Sequence, residues 1–371
     1  MLRSLTDITD AEAQTLYATG FEGARSLFDA ACREYGLEMS DHPIGESGDS
    51  LRLAQCGPVS SAAKLIILSG LHGVEGHCGS AAQIAFIRRL AGDRPHVHVV
   101  LVHGINPGGM RALRRTNADN IDLNRNFLTD QDYAALARVS DRSRAIGRLF
   151  SNPVLSYLPD LPWLAYFAAY VATHGGMSAV KEVLAGGQFF DPKAVFYGGT
   201  ARAPELRSLE AALRPILANA RADRTILFDL HSGIGDYAQC SLLANGGTDL
   251  PLDDVFGRAV SDGHEGDQAV YPARGDVIRG LKTRFCLTRA CGVTFECGTG
   301  PAAGTLMALR AANSAHMIRP GSPARQALAR RRVQRAFCPD DPVWRGIYVR
   351  ESSALMARAF SYLSSRVERH V

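Results

Sequence analysis

Four short apolar runs constrain this chain more than any other feature. They are Lys64–Ser69 (KLIILS), His96–His103 (HVHVVLVH), Thr225–Leu230 (TILFDL) and the run ending at Val293–Glu296 (VTFE). Each is too short for a core helix and rich in β-branched residues, and glycine or polar residues stop it. Continuous rather than alternating apolarity marks strands buried on both faces, the habit of parallel sheets. A further strand is predicted at Tyr237–Ala244. Helical spacing falls between and around them: Phe21–Tyr35, Ser80–Leu90, Leu161–Ala185 with a break at Gly175-Gly176, Pro204–Ala220, Ala302–Ala312, Pro323–Ala336 and Ser352–Val367. Pro215 should kink or break its helix. Interleaved strands and helices predict an α/β fold, with a mixed, largely parallel central sheet flanked by helices on both faces. One domain over residues 1–371 is the economical organisation.

Composition narrows the function classes. Charged residues make up 21% of the 371, and the net charge is +4, too mild to suggest a nucleic-acid partner. The arginines at 330–332 and 335 read as the polar face of a helix. The apolar stretch near Leu161–Thr173 is too short to cross a bilayer and contains Pro162, so no membrane partner is expected. No secretory pattern follows Met1, and the eight scattered cysteines contain no CxxC pair, which suits a cytoplasmic protein. Neither GxGxxG after a strand nor GxxxxGK[ST] nor GxSxG occurs, arguing against a dinucleotide site, a P-loop and a nucleophile elbow.

Three strands run into polar, glycine-rich loops: SGLHGVEG with His72 and Glu75, DLHSGIG with His231, and FECGTG with Glu296. Ligands of open α/β sheets bind beyond the carboxyl ends of strands, so these loops are expected to converge. Two histidines and a glutamate form a catalytic zinc set with one position left for water, whose pKa zinc lowers to about 7. A further carboxylate, Glu296, is then available as the proton acceptor. Taken singly, none of these residues is diagnostic, because HxxE arises by chance in a chain with 11 histidines. A fourth segment, Arg114 to Phe127 (RRTNADNIDLNRNF), lies between the first two loops.

Together HGVEG, DLNRNF, DLHSG and FECGTG resemble, in order and approximate spacing, the motifs of the zinc carboxypeptidase superfamily over roughly Leu65 to Gly300. The wording is most similar to a bacterial branch of unassigned substrate. The resemblance implies one Zn2+ per chain on His72, Glu75 and His231, with Glu296 as general base. It implies that Asn124 and Arg125 grip a substrate carboxylate, Arg115 polarises the scissile carbonyl, and Asp122 orients a zinc-bound histidine. The implied reaction is hydrolysis of an amide or peptide bond beside a free carboxylate. The related aspartoacylase and succinylglutamate desuccinylase group offers the alternative of an N-acyl amino acid deacylase; a non-catalytic binding protein is the third reading. The substrate is then a small peptide or an N-acyl amino acid. Choosing Arg115 over Arg114 rests on spacing. Tyr237 and Tyr271 are candidates for a phenol near the leaving group, while His77 and Cys78 are not expected to bind metal. A stretch at about 128–196, outside the family motifs, is expected to be a helical insertion that narrows the active-site mouth.

Overall fold

The apolar runs become the middle of a sheet. The computed structural model describes residues 8–90, 96–136, 141–174, 186–258 and 273–368, with single positions or pairs at 176–177, 180, 183 and 260–261. Among these, seven strands form one sheet in the order β1-β2-β4-β3-β5-β7-β6. They are β1 Glu38–Pro43, β2 Ser50–Cys56, β3 Lys64–Ser69, β4 His98–His103, β5 Thr225–Leu230, β6 Cys240–Ala244 and β7 Cys291–Cys297. The central four, β4-β3-β5-β7, are parallel, and every residue in them is buried. The outer pairings are antiparallel.

Side chains alternate between two cores, as the period of a strand requires. Leu65, Ile67, Leu101, Phe228 and Phe295 face the helices Gly20–Glu34, Gly76–Leu90 and Pro342–Glu368. Ile66, Leu68, Val100, Val102 and Leu227 face Pro204–Leu217 and Val277–Arg284. A third cluster joins Ile146, Phe150, Trp163 and Phe167 to Met307, Val333 and Phe337. The 128–196 stretch thus contributes helices Asp130–Leu136, Asp141–Ser151 and Asp160–Thr173, the last two packed against Ala302–Asn313 and Pro323–Phe337. Val74, inside the HGVEG loop, belongs to this third cluster and ties it to the sheet.

From β3 the chain turns through Gly76–Leu90 to β4 on one side, then returns to β5 on the other side of β3. That reversal opens a crevice beyond the carboxyl ends of β3 and β5, where doubly wound sheets place their ligands.

Several boundaries differ from expectation. Pro215 does not break its helix, which continues to Leu217. Only two helical residues follow it, both buried, so little hydrogen-bonded helix remains to be lost. The last helix starts at Pro342, ten positions before the expected Ser352. Trp344, Tyr348 and Val349 anchor the added turns in the core. No helix among the described residues is long and apolar enough to cross a membrane.

Candidate metal centre

The HGVEG loop is held by its backbone before its side chains do anything. Val74 N–H donates to the Arg114 carbonyl (2.9 Å) and Gly73 N–H to that of Arg115 (3.3 Å). A Cβ on Gly73 would fall 2.1 Å from the Gly109 carbonyl carbon, so glycine is needed for this close approach. Glu75 closes a 3-10 turn, Gly73–Glu75, that runs straight into helix Gly76–Leu90. Across the crevice, His231 N–H donates to the Phe295 carbonyl (2.8 Å), fixing the DLHSG loop to β7.

These anchors bring His72, Glu75 and His231 together, with one potential ligand atom of each inside a 4.8 Å span. His72 Nδ1 lies 2.9 Å from Glu75 Oε1. His231 Nδ1 lies 3.0 Å from Glu75 Oε2, and the two Nδ1 atoms are 3.1 Å apart. Both opposite nitrogens face carboxylates: His72 Nε2 to Asp122 Oδ1 at 3.1 Å, and His231 Nε2 to Asp229 Oδ2 at 2.7 Å. A neutral imidazole that donates from Nε2 presents a lone pair at Nδ1. Two such lone pairs and two carboxylate oxygens then point at one another in a buried space, which is unfavourable unless a cation or proton lies among them. Ligands about 2.0–2.1 Å from a tetrahedral ion sit roughly 3.3 Å apart, close to these separations. The donor set fits a metal ion.

Electrostatics follow from the crowding. Burial would raise the Glu75 carboxyl, but His72 and His231 outweigh it and hold Glu75 well below the usual range. Burial likewise opposes ionisation of Asp122, and Arg115, His72 and Arg125 prevail, keeping it low. Glu296 goes the other way. Burial, with Glu75 adding to it, pushes Glu296 up to about 8, against the opposing pull of His231 and Arg115. Its Oε2 is buried with no hydrogen-bond partner among the described residues.

Arg115 and Arg114 face different ways. Arg115 Nε donates to Asp122 (3.0 Å) and its Nη1 to Glu75 (3.3 Å). Arg114 turns instead to Thr116 and Asn120. Arg125 is 8% exposed. Its Nη1 donates to the Asn124 carbonyl at 2.9 Å, while its Nε is buried without a partner among the described residues. The Asn124 side-chain oxygen accepts from Val277 N–H (3.1 Å), which fixes the amide. Tyr237 is 48% exposed and gives its hydroxyl to Asp341; Tyr271 lies outside the described residues. His77 bonds the Met110 carbonyl (3.3 Å) and Cys78 the Glu75 carbonyl (3.1 Å).

Some contributors escaped the sequence reading. Asp229 orients His231, and its signal was available, since residues i and i+2 at a strand end share a face. Asn120, Asn126 and Asn313 hold the segment 192–201 over the site. Asn120 Nδ2 donates to the carbonyls of Pro192 and Ala194, Asn126 Nδ2 to those of Gly198 and Ala201, and Asn313 Nδ2 to that of Lys193. That clamp places the Phe196 ring centroid 5.8 Å from the guanidinium carbons of both Arg115 and Arg125. Nothing in the sequence around Phe196 signals this position.

The architecture is the carboxypeptidase-like one that the motifs implied. Bovine thrombin-activatable fibrinolysis inhibitor, solved with tick carboxypeptidase inhibitor, has a similar fold: TM-score 0.51 at 12% identity, over 94% of this chain and 98% of that one. A metallo-carboxypeptidase from Burkholderia cenocepacia gives a TM-score of 0.46 at 14% identity, over 92% of this chain and 70% of its own. At 12% identity the likeness to the bovine protein is one of fold. No curated protein matches the sequence. Residues 17–351 match the model of the family described as protein of unknown function DUF2817, and the chain belongs to that family.

Proposed function

We propose that the protein is a zinc-dependent hydrolase that cleaves an amide bond next to a free carboxylate. The observation that carries this reading is the convergence of the His72 and His231 Nδ1 atoms on Glu75, beside Glu296, whose Oε2 is buried without a partner among the described residues. His72, Glu75 and His231 would hold the ion. A bound zinc supplies Lewis acidity, lowering the pKa of water to about 7 and polarising a carbonyl.

The chain's own groups do the rest. Asp122 and Asp229 keep both Nε2 atoms protonated and both Nδ1 atoms free to ligate. Arg125 receives the substrate carboxylate on its guanidinium group, assisted by the Asn124 amide. Arg115 stabilises negative charge developing on the carbonyl oxygen. Glu296 Oε2 takes a proton from the attacking water and delivers it to the leaving nitrogen. The segment 192–201, with Phe196 against both arginines and Gly187 packed on Arg125, encloses the carboxylate end. This enclosure favours small substrates, so N-acyl amino acids stand beside short peptides.

Glu296→Gln is the test: it should retain bound zinc while losing about 10²- to 10⁴-fold in kcat. Full activity in that variant would remove Glu296 from the reaction.

A further inference from the structure

Two cysteines stand opposite one another at the outer edge of the sheet. Cys240 opens β6, Cys297 closes β7, and the antiparallel register pairs them directly. In such a ladder, opposite residues alternate between pairs that exchange backbone hydrogen bonds and pairs that do not. The flanking bonds decide which kind this is. Gly298 N–H donates to the Gln239 carbonyl (2.8 Å), and Asn245 N–H to that of Gly292 (2.8 Å). Both pairs continue the Cys240–Cys297 register, so the odd-numbered positions of β6 carry the ladder bonds. The even-numbered ones point their backbone away: the Leu242 carbonyl accepts from Ser261 N–H and Ala244 N–H donates to the Ser261 carbonyl, each at 2.9 Å. Cys240 and Cys297 are therefore a non-hydrogen-bonded pair, whose Cα atoms sit about 4.5 Å apart.

That spacing lies within the range of about 4.4–6.8 Å that a disulfide can bridge. The side chains also share a face. Cys297 belongs to the core cluster of Leu242, Val293 and Phe295, and Cys240 packs against it. Cys240 beside it, then burial, push the Cys297 thiol above its ordinary range. Cys297 is buried, but Cys240 is only half-buried on the outermost strand, so the pair has one member that an oxidant can reach. Cys78 and Cys338 also neighbour one another, but both are buried.

Cys297 is joined to the candidate reaction site through its own backbone. It follows Glu296 in β7, and its carbonyl accepts from Gly233 N–H (3.0 Å), two residues past His231. Glu296 itself pairs with Ser241, the next step along the ladder. Disulfides settle most often at Cα separations of about 5.5–6 Å, so closing this one spreads the two strands by roughly 1 Å. That displacement falls on Glu296 and on the loop that carries His231.

We propose that Cys240 and Cys297 form a reversible disulfide that slows turnover at the neighbouring site. With hydrogen peroxide as oxidant, the Cys240 sulfur takes one oxygen to become a sulfenic acid, and the first water leaves. The Cys297 sulfur then attacks that of Cys240: the S–O bond breaks, the S–S bond forms, and the hydroxyl departs with the Cys297 proton as a second water. The two thiols give up two electrons and two protons, and the peroxide is reduced. A dithiol restores both thiols by exchange. The bond itself does not depend on the hydrolase reading; its effect on turnover does.

Zinc-loaded wild type and Cys240→Ser are treated with hydrogen peroxide and cleared of it. Each is then divided between non-reducing peptide mass spectrometry and amide hydrolysis, before and after a dithiol. Wild type should yield a linked Cys240–Cys297 peptide, lose at least about tenfold in kcat, and recover with the dithiol. Cys240→Ser should start within about twofold of untreated wild type, form no such link, and keep its rate after peroxide. A Cys240–Cys297 link in wild type, with no hydrolysis of any amide by reduced or oxidised protein, upholds the disulfide and sinks the hydrolase reading. No link, or a Cys78–Cys338 link in its place, overturns the proposal. So does a linked protein that turns over at the unoxidised rate, or a loss that Cys240→Ser shares or a dithiol does not reverse.

Discussion

Asp229 offers the cleanest probe of how the metal site is held. Its Oδ2 accepts from His231 Nε2 at 2.7 Å. Its Oδ1 has no partner among the described residues, so among them the side chain hydrogen-bonds to His231 alone. Asp122 is less suitable, because it also accepts from Arg115 and from the Asn124 backbone. In Asp229→Asn the amide fits the same space but carries no charge. If it rotates to present its NH2, the imidazole proton moves to Nδ1, the atom needed for the ion. Partners of this kind are worth about 10- to 100-fold in metal affinity, or roughly 1.4–2.7 kcal/mol. The assay is competitive zinc titration against a calibrated chelator near neutral pH, on wild type and Asp229→Asn. Unfolding midpoints of the two metal-free proteins should be recorded beside it. A Kd weakened by at least about tenfold, with an intact metal-free fold, fits the reasoning; a Kd within about twofold of wild type refutes it.

His103 gives a pH test remote from the metal. It is fully buried, with Nε2 2.9 Å from Ser80 Oγ and its ring stacked on Phe28. Burial, with nearby Arg25 adding to it, lowers its pKa to about 3, so the unfolded chain takes the proton first as pH falls. The neutral ring's contribution is complete above about 6.5 and is lost progressively toward about 3. Denaturant titrations between about pH 4 and 6 should show His103→Gln reducing the slope of stability against pH by about 1.4 kcal/mol per unit. An unchanged slope would contradict that burial. Gly73→Ala forces a Cβ to within 2.1 Å of the Gly109 backbone; thermal unfolding should report a loss of about 1–3 kcal/mol or more, with weakened zinc binding. A neutral outcome would mean that the loop is not pinned as described.

What the sequence revealed follows from where each element sits. β3, β4, β5 and β7 were legible because burial on both faces writes an unbroken apolar run. β1 and β2 were not, since an edge hairpin such as Glu38–Pro43 is mostly exposed and carries Glu38, Ser40 and Asp41. The early start of the last helix was hidden by Gly346, which reads as a breaker. Its role is tertiary: a Cβ there would lie 2.0 Å from Asp10 Oδ1, which Arg350 holds at 2.6 Å. At the site, His72, Glu75, His231 and Glu296 could be proposed because each ends or follows a strand, and the structure brings the first three together. Phe196 was not readable, because its place depends on how the 128–196 stretch folds back over the loop 114–127. That packing is long-range and leaves no local pattern.

The central claim, a metal held by His72, Glu75 and His231, is tested most directly by metal analysis of purified wild type beside His72→Ala, with amide hydrolysis measured on the same samples. About one zinc per chain in wild type, lost together with hydrolysis in His72→Ala, is the predicted result. Wild-type protein that neither carries zinc nor takes it up when zinc is added would contradict the account.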